Sequence, residues 1–450
     1  MIINKSHPLK GSITIPGDKS ISHRAIMLGA LAKGRTEVNN FLMGDDCLST
    51  ISCFKKLGIS IDVDIVKQKV IIQGEGLDGL KCPDSILDVG NSGTTIRLLS
   101  GILCGQSFPS TITGDSSIQK RPMGRIIDPL VMMGADIRSI ANNDCAPLQI
   151  NSTCTLKTNN TSIQRDYQID DTGKLKGIHY HSPVASAQVK SCVLLAGLYA
   201  DGETQVTEPA LSRNHTELML SEFGAKISRF ENTIRLEPRP FLTARNINIP
   251  GDISSAAYFI VAALIIPNSE LLIKNVGINP TRDGILKVCH MMGADITLEN
   301  IKYNGGEQSA DILIRHSNLK GIEISGKIIP TLIDEIPIIA VLSCFAEGKT
   351  IIRDAEELKV KESNRIEEIV RNLSNMGADI IATDDGMIIN GGRPLHGTVI
   401  DSKMDHRIAM AFTIAAMASH GSTTILNPEC VNISYPYFYD VAKTVSDRYS

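Results

Sequence analysis

One recurring pentapeptide constrains the fold of this chain more than any other feature. Met-Gly-Ala-Asp-Ile is found three times, around Gly134, Gly293 and Gly377, and weaker copies surround Gly58 and Gly224. Each copy follows a segment with apolar residues every three or four positions and precedes an alternating segment. This pattern predicts a helix, a left-handed glycine cap and a strand. Such junctions occur in any α/β protein, but three identical copies favour true repetition.

The spacing of these glycines predicts the number of repeats. They recur at intervals of roughly 70 to 90 residues, and each interval holds about two helices and several strands. About six such units would fill the 450 residues, with the sixth copy degenerate. Units of this size exceed those of solenoid proteins, so we expect globular domains built from several copies.

Composition excludes several classes of function. The net charge is -4, there is no Trp, and aromatic residues make up 4% of the chain, which argues against a nucleic-acid binder. The ten cysteines show no zinc-ligand spacing, so we expect no metal site and a reducing compartment. The apolar stretches over 256–266 and 408–418 are too short to span a bilayer, and no signal peptide is predicted. The polar stretch over 151–173 is predicted to be a surface excursion.

The segment Pro16–Arg24 places charged residues between a strand and a helix. Lys19, Ser20 and Arg24 follow a short apolar strand and precede a helical run rich in Ala and Leu. A helix start offers unpaired backbone N–H groups and the positive end of the helix dipole, so two added cations favour a strongly anionic ligand. The alternative is an ordinary N-cap with solvated cations, and the segment alone does not decide between the two.

Other predicted helix starts carry polar or cationic residues as well. They contain Gly93, Arg121, Ser186 with Gln188, Arg213 and Arg407. Each is individually more typical of a helix cap than of a binding site. No P-loop spacing occurs anywhere in the chain. Taken together, however, a repeated fold that decorates many helix starts with Arg and Lys indicates one shared anionic ligand.

Two further segments carry carboxylates. Asp334 lies at the head of an apolar helix, where a carboxylate can be either a cap or a general base. Lys361, Glu362 and Arg365 are predicted to lie in one helix, with Lys361 and Arg365 on the same face. Two cations and an acid in one turn can hold an anion and still move a proton, although a solvated charged face is the usual interpretation.

In this order, the segments resemble the enolpyruvyl transferase family, and most closely the branch that acts on shikimate 3-phosphate. Pro16–Arg24 and Lys359–Arg365 carry the specific motifs, and the shorter motifs are collinear as far as Pro436. The resemblance implies an α/β fold of two similar domains, each with three copies of a βαβαββ unit, an inside-out α/β barrel. It implies that domain 1 comprises residues 1–18 and 250–450, that domain 2 comprises 19–249, and that the active site lies in the interdomain cleft.

The resemblance also implies the reaction. The enolpyruvyl group of phosphoenolpyruvate would pass to the 5-hydroxyl of shikimate 3-phosphate, with release of phosphate, by addition and elimination through a tetrahedral intermediate. This is a step of the shikimate pathway, which leads to chorismate and the aromatic amino acids. The family needs no cofactor or metal. We therefore expect two small-molecule substrates as partners, no nucleic acid, no membrane, a monomer, and a cytoplasmic location.

The family's functional residues carry over to matching positions in this chain. Asp334 would be the proton acceptor, and Glu362 the proton donor together with Lys19. The residues expected to bind shikimate 3-phosphate are Lys19, Ser20, Arg24, Ser186, Gln188, Arg213, Asp334 and Lys361. The residues expected to bind phosphoenolpyruvate are Lys19, Gly93, Arg121, Gln188, Arg365 and Arg407.

Two departures from the family pattern and two rival functions accompany this prediction. Many relatives have Ser-Ser-Gln where this chain has Ala187 between Ser186 and Gln188, and the C-terminal Lys of many relatives is missing before Pro436. The nearest rival is the sister transferase that acts on UDP-N-acetylglucosamine, which has Lys-Asn in place of Lys19 and Ser20 and uses a loop Cys that is absent here. A non-catalytic anion-binding relative is the second rival.

Overall fold

The chain divides into two compact units. The computed structural model describes residues 1–152, 175–304 and 306–447, and the predicted polar excursion lies outside these ranges from residue 153 onward. The discontinuous unit comprises residues 1–18 and those from 250 onward, and the continuous unit comprises residues 19–249. Each unit has its own hydrophobic core. No helix in the described ranges is both long and apolar enough to cross a bilayer.

The helices alternate with strands along both units. The described α-helices are α1 (Lys19–Leu31), α2 (Asp45–Lys56), α3 (Gly93–Cys104), α4 (Gly124–Met132), α5 (Ala187–Gly197), α6 (His215–Glu222), α7 (Ile253–Ile265), α8 (Gly284–Met291), α9 (Ile336–Cys344), α10 (Arg365–Asn375), α11 (His406–Ala418) and α12 (Phe438–Asp447).

The strands are mostly short. In the described residues they are β1 (Ile2–Ile3), β2 (Lys10–Thr14), β3 (Lys33–Asn39), β4 (Ser60–Asp64), β5 (Lys69–Glu75), β6 (Leu87–Asp88), β7 (Ser110–Thr113), β8 (Ile137–Ser139), β9 (Leu148–Ile150), β10 (His179–His181), β11 (Thr204–Thr207), β12 (Ile227–Phe230), β13 (Thr233–Leu236), β14 (Asn246–Asn248), β15 (Glu270–Gly277), β16 (Asp295–Asn304), β17 (Glu307–Arg315), β18 (Glu323–Ile324), β19 (Lys349–Ile352), β20 (Asp379–Ala382), β21 (Met387–Asn390), β22 (Val399–Asp401) and β23 (Thr423–Leu426).

Among the described residues, each unit contains three sheets, and one strand order recurs. The continuous unit has β6-β7-β9-β8, β10-β11-β13-β12 and β14-β3-β5-β4, and the discontinuous unit has β2-β15-β17-β16, β18-β19-β21-β20 and β22-β23-β1. In every sheet the first two strands in this order are parallel and the remaining pairs are antiparallel. The sheet β22-β23-β1 has only three strands, and one of them, β1, comes from the start of the chain. This agrees with a degenerate sixth repeat.

The core of each unit is built around apolar helices. In the continuous unit α1, α3 and α5 are almost wholly buried, and in the discontinuous unit α7, α9 and α11 are. These helices pack against one another within their own unit. Because their sides are covered, their first turns are the places where polar side chains remain accessible. Several predicted site residues lie at or near these helix starts, and the others lie at or just before the starts of α4, α6 and α10.

The repeated glycines follow the ends of α2, α4, α6, α8 and α10, as the sequence predicts. Gly58, Gly134, Gly224, Gly293 and Gly377 all have φ between +88° and +101°. In each case the glycine N–H and the next N–H bond back to carbonyls of the last helical turn, the pattern of a Schellman cap. A side chain in this backbone conformation is strained, so glycine occupies the same point in all five copies.

Candidate active site

The first two turns of α1 carry three of the predicted substrate-binding residues. Lys19 Nζ forms an ion pair with the carboxylate of Asp46 in α2. Arg24 donates from Nε to Thr216 Oγ1 at 2.7 Å and from Nη1 to the backbone oxygen of Ser20 at 3.0 Å. Only 5% of Arg24 is exposed. Two positioned cations therefore lie where the helix dipole is already positive, an arrangement that favours an anion.

Two more predicted residues lie at the start of α5. Ser186 is the N-cap, and its Oγ accepts a hydrogen bond from the Val189 backbone N–H at 3.5 Å. Gln188 Oε1 accepts from Arg97 Nη1 at 2.5 Å, and Gln188 Nε2 donates to Thr94 Oγ1 at 3.3 Å. These bonds orient both side chains and join the start of α5 to α3.

A buried ion-pair cluster holds the segment that carries Arg213. Lys190 Nζ lies 2.8 Å from carboxylate oxygens of both Glu208 and Glu217, and 1% of its side chain is exposed. Ser212 Oγ donates to Glu208 Oε2 at 2.8 Å, which ties the residue before Arg213 to the same cluster. Lys190 is not among the residues predicted from the sequence. The one feature of the sequence that could have indicated it is a lysine inside an apolar helix, because a buried ammonium group needs an acidic partner.

Two arginines converge above the start of α3. A Cβ atom added at Gly93 would lie 3.0 Å from Arg121 Nη1 and 3.2 Å from Arg97 Nη1. Arg121 also donates from Nη2 to Asn91 Oδ1 at 3.0 Å. The structure therefore brings the predicted Gly93 and Arg121 together and adds Arg97, which was not predicted from the sequence. Its position one helical turn after Gly93 was the available signal.

Because the resemblance assigns Gly93 and Arg121 to phosphoenolpyruvate, replacing Gly93 with Ala is expected to raise the KM for phosphoenolpyruvate about tenfold and to leave the KM for shikimate 3-phosphate nearly unchanged. The added methyl group presses on two guanidinium groups, whose displacement by a few tenths of an ångström weakens their bidentate hold on an anion. Steady-state kinetics with each substrate varied in turn measures both constants. Gly202→Ala is the matched control because a Cβ there meets nothing closer than 3.9 Å. Equal changes in both KM values would contradict the expectation.

A buried histidine connects the starts of α1 and α3. His23 is fully buried, and its Nδ1 lies 2.7 Å from Thr50 Oγ1. Thr50 Oγ1 is in turn 2.7 Å from Thr95 Oγ1, which donates to the N-cap Ser92 Oγ at 2.7 Å. Burial and the nearby charges of Lys19 and Arg24 lower the pKa of His23 well below its usual value. His23 is therefore neutral in the folded protein at neutral pH.

The free energy of unfolding is expected to fall as the pH drops below about 6.5, the ordinary pKa of an unfolded histidine. In that range the unfolded chain binds a proton that folded His23 does not, so the stability present above this pH is lost at about 1.4 kcal/mol per pH unit. His23→Asn removes this contribution and flattens the slope between pH 7 and 5.5, as urea denaturation will measure. The exposed His290→Asn serves as control. An unchanged slope in His23→Asn would refute the assignment.

In the discontinuous unit, three cationic side chains surround Asp334. Asp334 lies just before α9, and 15% of its side chain is exposed. Its carboxylate oxygens lie 3.5 Å from Arg365 Nη1, 3.6 Å from Arg407 Nη2 and 4.0 Å from Lys361 Nζ. The structure thus assembles predicted residues from three separate chain segments around one partly accessible carboxylate.

Arg365 is held in place by acids on two sides. Its Nε donates to Asp405 Oδ2 at 2.8 Å, and its Nη2 donates to Glu362 Oε2 at 2.5 Å. Burial alone would lower the pKa of Arg365, but Asp405 and Glu362 hold it above its usual value. The predicted helix through Lys361 and Arg365 is wrong. Residues 361–364 are irregular, and α10 begins at Arg365 because the side chain of Asn364 caps it.

Arg407 is oriented by the start of α11. The N-cap Asp405 accepts a hydrogen bond from the Arg407 backbone N–H at 2.9 Å. The Arg407 side chain donates from Nη1 to the backbone oxygen of Asp334 at 3.1 Å. Burial would lower the pKa of Arg407, yet the negative charges of Asp334 and Glu335 hold it above its usual value. Arg407 therefore remains a cation beside the proposed proton acceptor.

The side chains of this unit offer proton transfer and anion binding. Across residues 1–152, 175–304 and 306–447, no three His, Cys, Asp or Glu side chains are grouped so that they could hold a metal ion. Asp334 lies between three cations, and Glu362 accepts a hydrogen bond from one of them, Arg365. Two carboxylates in such a setting can accept and donate protons next to a bound anion. The continuous unit carries cations of its own, in α1, in α3 and in the Arg213 segment.

Comparisons with known proteins agree along the whole chain. The family model described as EPSP synthase (3-phosphoshikimate 1-carboxyvinyltransferase) matches residues 3–442. A 3-phosphoshikimate 1-carboxyvinyltransferase of Thermoanaerobacter sp. (strain X514) is 54% identical over 437 residues, 97% of this chain and 98% of the relative. One from Desulforamulus reducens is 52% identical over 445 residues, 99% of each.

Solved structures confirm the predicted fold class. An EPSP synthase from Acinetobacter baumannii superposes with a TM-score of 0.85 at 44% identity, covering 99% of this chain and 97% of that one. The enolpyruvyl transferase NikO from Streptomyces tendae has a TM-score of 0.76 at 16% identity, covering 99% and 96%, and so shares the fold. The family matches across nearly the full length, and the predicted resemblance is thereby confirmed. The chain belongs to the EPSP synthase, or 3-phosphoshikimate 1-carboxyvinyltransferase, family of enolpyruvyl transferases.

Proposed function

We propose that this chain transfers the enolpyruvyl group of phosphoenolpyruvate to the 5-hydroxyl of shikimate 3-phosphate and releases phosphate. Family membership over nearly the whole chain supports this assignment. The structural observation that carries it is the Asp334 carboxylate, with Lys361, Arg365 and Arg407 all within 4.0 Å. The two substrates together carry two phosphates and two carboxylates, so the reaction needs a base and also cations that balance these charges. The Asp334 carboxylate supplies the base, and the three side chains around it supply cations.

The proposed binding of shikimate 3-phosphate uses residues from both units. Arg24 and Arg213 are assigned to its phosphate, because a guanidinium group pairs bidentately with phosphate oxygens. The hydroxyl and amide groups at the starts of α1 and α5 are assigned to the remaining polar groups of the substrate. The full proposed set is Lys19, Ser20, Arg24, Ser186, Gln188, Arg213, Asp334 and Lys361.

Phosphoenolpyruvate is assigned to the cations beside Gly93 and in the discontinuous unit. Because Gly93 has no side chain, the guanidinium groups of Arg97 and Arg121 can approach the start of α3. Arg97 also donates a hydrogen bond to Gln188, so we propose it as the side chain that orients Gln188. The predicted set of Lys19, Gly93, Arg121, Gln188, Arg365 and Arg407 is kept, and Arg97 joins it as a residue that positions Gln188. We further propose that the two compact units are the two domains of the family, and that the enzyme is a cytoplasmic monomer.

The proposed chemistry has two steps. In the addition, Glu362 protonates the methylene carbon of phosphoenolpyruvate, Asp334 takes the proton of the 5-hydroxyl, and that oxygen bonds to the central carbon. In the elimination, the carbon–oxygen bond to phosphate breaks, the new methyl group returns its proton to Glu362, and Asp334 returns its proton to the departing phosphate. Lys19 and the arginines balance the charge that develops. Each proton transfer contributes about 10²- to 10⁴-fold to the rate.

A phosphate-release assay tests this function against its two rivals. We expect the purified protein to release phosphate from phosphoenolpyruvate in the presence of shikimate 3-phosphate and not in the presence of UDP-N-acetylglucosamine. Release with the UDP-sugar alone would assign the chain to the sister transferase reaction. If no phosphate is released with either acceptor, the result would favour a non-catalytic anion-binding protein.

A further inference from the structure

Two segments at the boundary between the units run side by side within the discontinuous unit. Gly17 and Gly251 form an antiparallel bridge. The backbone N–H of Asp18 donates to the Pro250 oxygen at 2.8 Å, and that of Asp252 donates to the Pro16 oxygen at 2.9 Å. The first segment leads directly into Lys19, and the second returns from residue 249. Backbone hydrogen bonds therefore pair the segment that leaves the discontinuous unit with the segment that returns to it.

One buried side chain clamps both segments. Arg282 donates from Nη1 to Asp18 Oδ2 at 3.1 Å and from Nη2 to Asp252 Oδ1 at 3.0 Å. Only 3% of its side chain is exposed. Burial alone would lower the pKa of Arg282, but the two aspartates hold it above its usual value. A planar guanidinium group can bond two carboxylates in different directions at once, which a lysine ammonium on a flexible stem does less well.

The same guanidinium group begins a series of polar contacts that leads toward Asp334. Arg282 Nη2 also donates to Ser254 Oγ at 2.6 Å, and Ser254 Oγ donates to Glu335 Oε1. Glu335 Oε1 lies 3.8 Å from Arg407 Nη1, the group that donates to the Asp334 backbone oxygen. A chain of polar contacts thus runs from the paired segments to Arg407, whose Nη2 also lies 3.6 Å from the Asp334 carboxylate that is proposed as the proton acceptor.

We infer that Arg282 is a positioning residue for the proposed reaction: it holds the segment before Lys19 and, through Ser254 and Glu335, the orientation of Arg407 and Asp334. The inference rests on the proposed function. Loss of the cation leaves the buried Glu335 carboxylate without compensation from this side, so Glu335 competes with Asp334 for Arg407. Misplacement of a catalytic group by about 1 Å costs up to about 100-fold in rate.

The test compares Arg282→Lys, Arg282→Met and Ser254→Ala with the wild type. In steady-state assays with both substrates, the two Arg282 variants are expected to lose about 10- to 100-fold in kcat. Ser254→Ala keeps the clamp and breaks the path to Glu335, so we expect a smaller loss in kcat with the KM for shikimate 3-phosphate unchanged. The added Glu335→Gln change should restore part of the kcat of Arg282→Met. Arg315→Met, which removes an exposed arginine paired with Glu270, is the control.

The outcomes separate this inference from the function on which it rests. A purely structural Arg282 would lower the melting temperature while kcat per folded molecule stays within twofold of wild type, and this result overturns the inference. Should Arg282→Met not fold, Arg282→Lys and Ser254→Ala still decide the question, because an unchanged kcat in both overturns it. A wild-type protein without phosphate release would instead refute the proposed function and, with it, the inference.

Discussion

Replacing Asp334 with Asn is expected to lower kcat by about 10²- to 10⁴-fold, the usual contribution of a positioned general base. Asn keeps the size of the side chain, while the carboxylate proposed to accept the 5-hydroxyl proton is lost. Three cations lie within 4.0 Å of the carboxylate, and Lys361 and Arg365 have other acidic partners in Glu357 and Asp405. The site therefore keeps its shape, and the dissociation constant for shikimate 3-phosphate, measured by calorimetry, should change only a few-fold.

The matched control for this prediction is Asp379→Asn. Asp379 pairs with Arg393 at 2.9 Å on the surface of the same unit, with 33% and 64% of the two side chains exposed. Exposed pairs of this kind contribute little to stability, so kcat should stay within about twofold of wild type. Near-normal turnover in Asp334→Asn would remove Asp334 from the role of proton acceptor. A large loss of shikimate 3-phosphate affinity would make it a binding residue instead.

Replacing Lys19 with Met is expected to lower kcat/KM by roughly 30- to 4,000-fold, the range for truncating one member of a buried, hydrogen-bonded charge pair. Lys19 is proposed to contact both substrates, and 19% of its side chain is exposed. Its loss also leaves Asp46 without the ammonium group, so a negative charge remains where an anion should bind. Kinetics with each substrate varied in turn should show that both KM values rise.

Lys33→Met provides the control for Lys19. Lys33 lies in the same unit, its Nζ is 3.9 Å from Glu75 Oε2, and 56% of each side chain is exposed. We expect this variant to match the wild type. Lys19→Arg refines the test, since it keeps the charge and changes the geometry of the donor. If kcat/KM of Lys19→Met stays within threefold of wild type, Lys19 does not contact both substrates.

The repeat architecture could be predicted because its signals are local. A helix that ends in a left-handed glycine depends on the residues of one turn, so the copies around Gly134, Gly293 and Gly377 reveal it directly. The starts of α5 and α11 were predicted for the same reason, since Ser186 and Asp405 cap their own helices. Where two local preferences compete, as at Lys361–Arg365, periodicity alone predicted a helix and missed the cap at Asn364.

The partners of the buried charges could not be predicted in this way. Lys190 bonds Glu208 and Glu217 from another helix and a loop, and Arg282 bonds Asp18, which lies 264 residues away along the chain. Nothing in the spacing of these residues indicates that they meet. The cost of burying an unpaired charge demands some partner, but it does not identify which one.

The sequence by itself therefore determined the repeated unit, the helix starts that carry cations, and the resemblance to the family, because each depends on residues close together in the chain. Only the tertiary structure decided which polar side chains meet: it placed Asp334 among three cations and brought Arg97 to the amide of Gln188. It also tied Arg282 to both boundary segments. The physical reason is that ion pairing depends on distance in space, and the packing of distant helices and loops sets that distance.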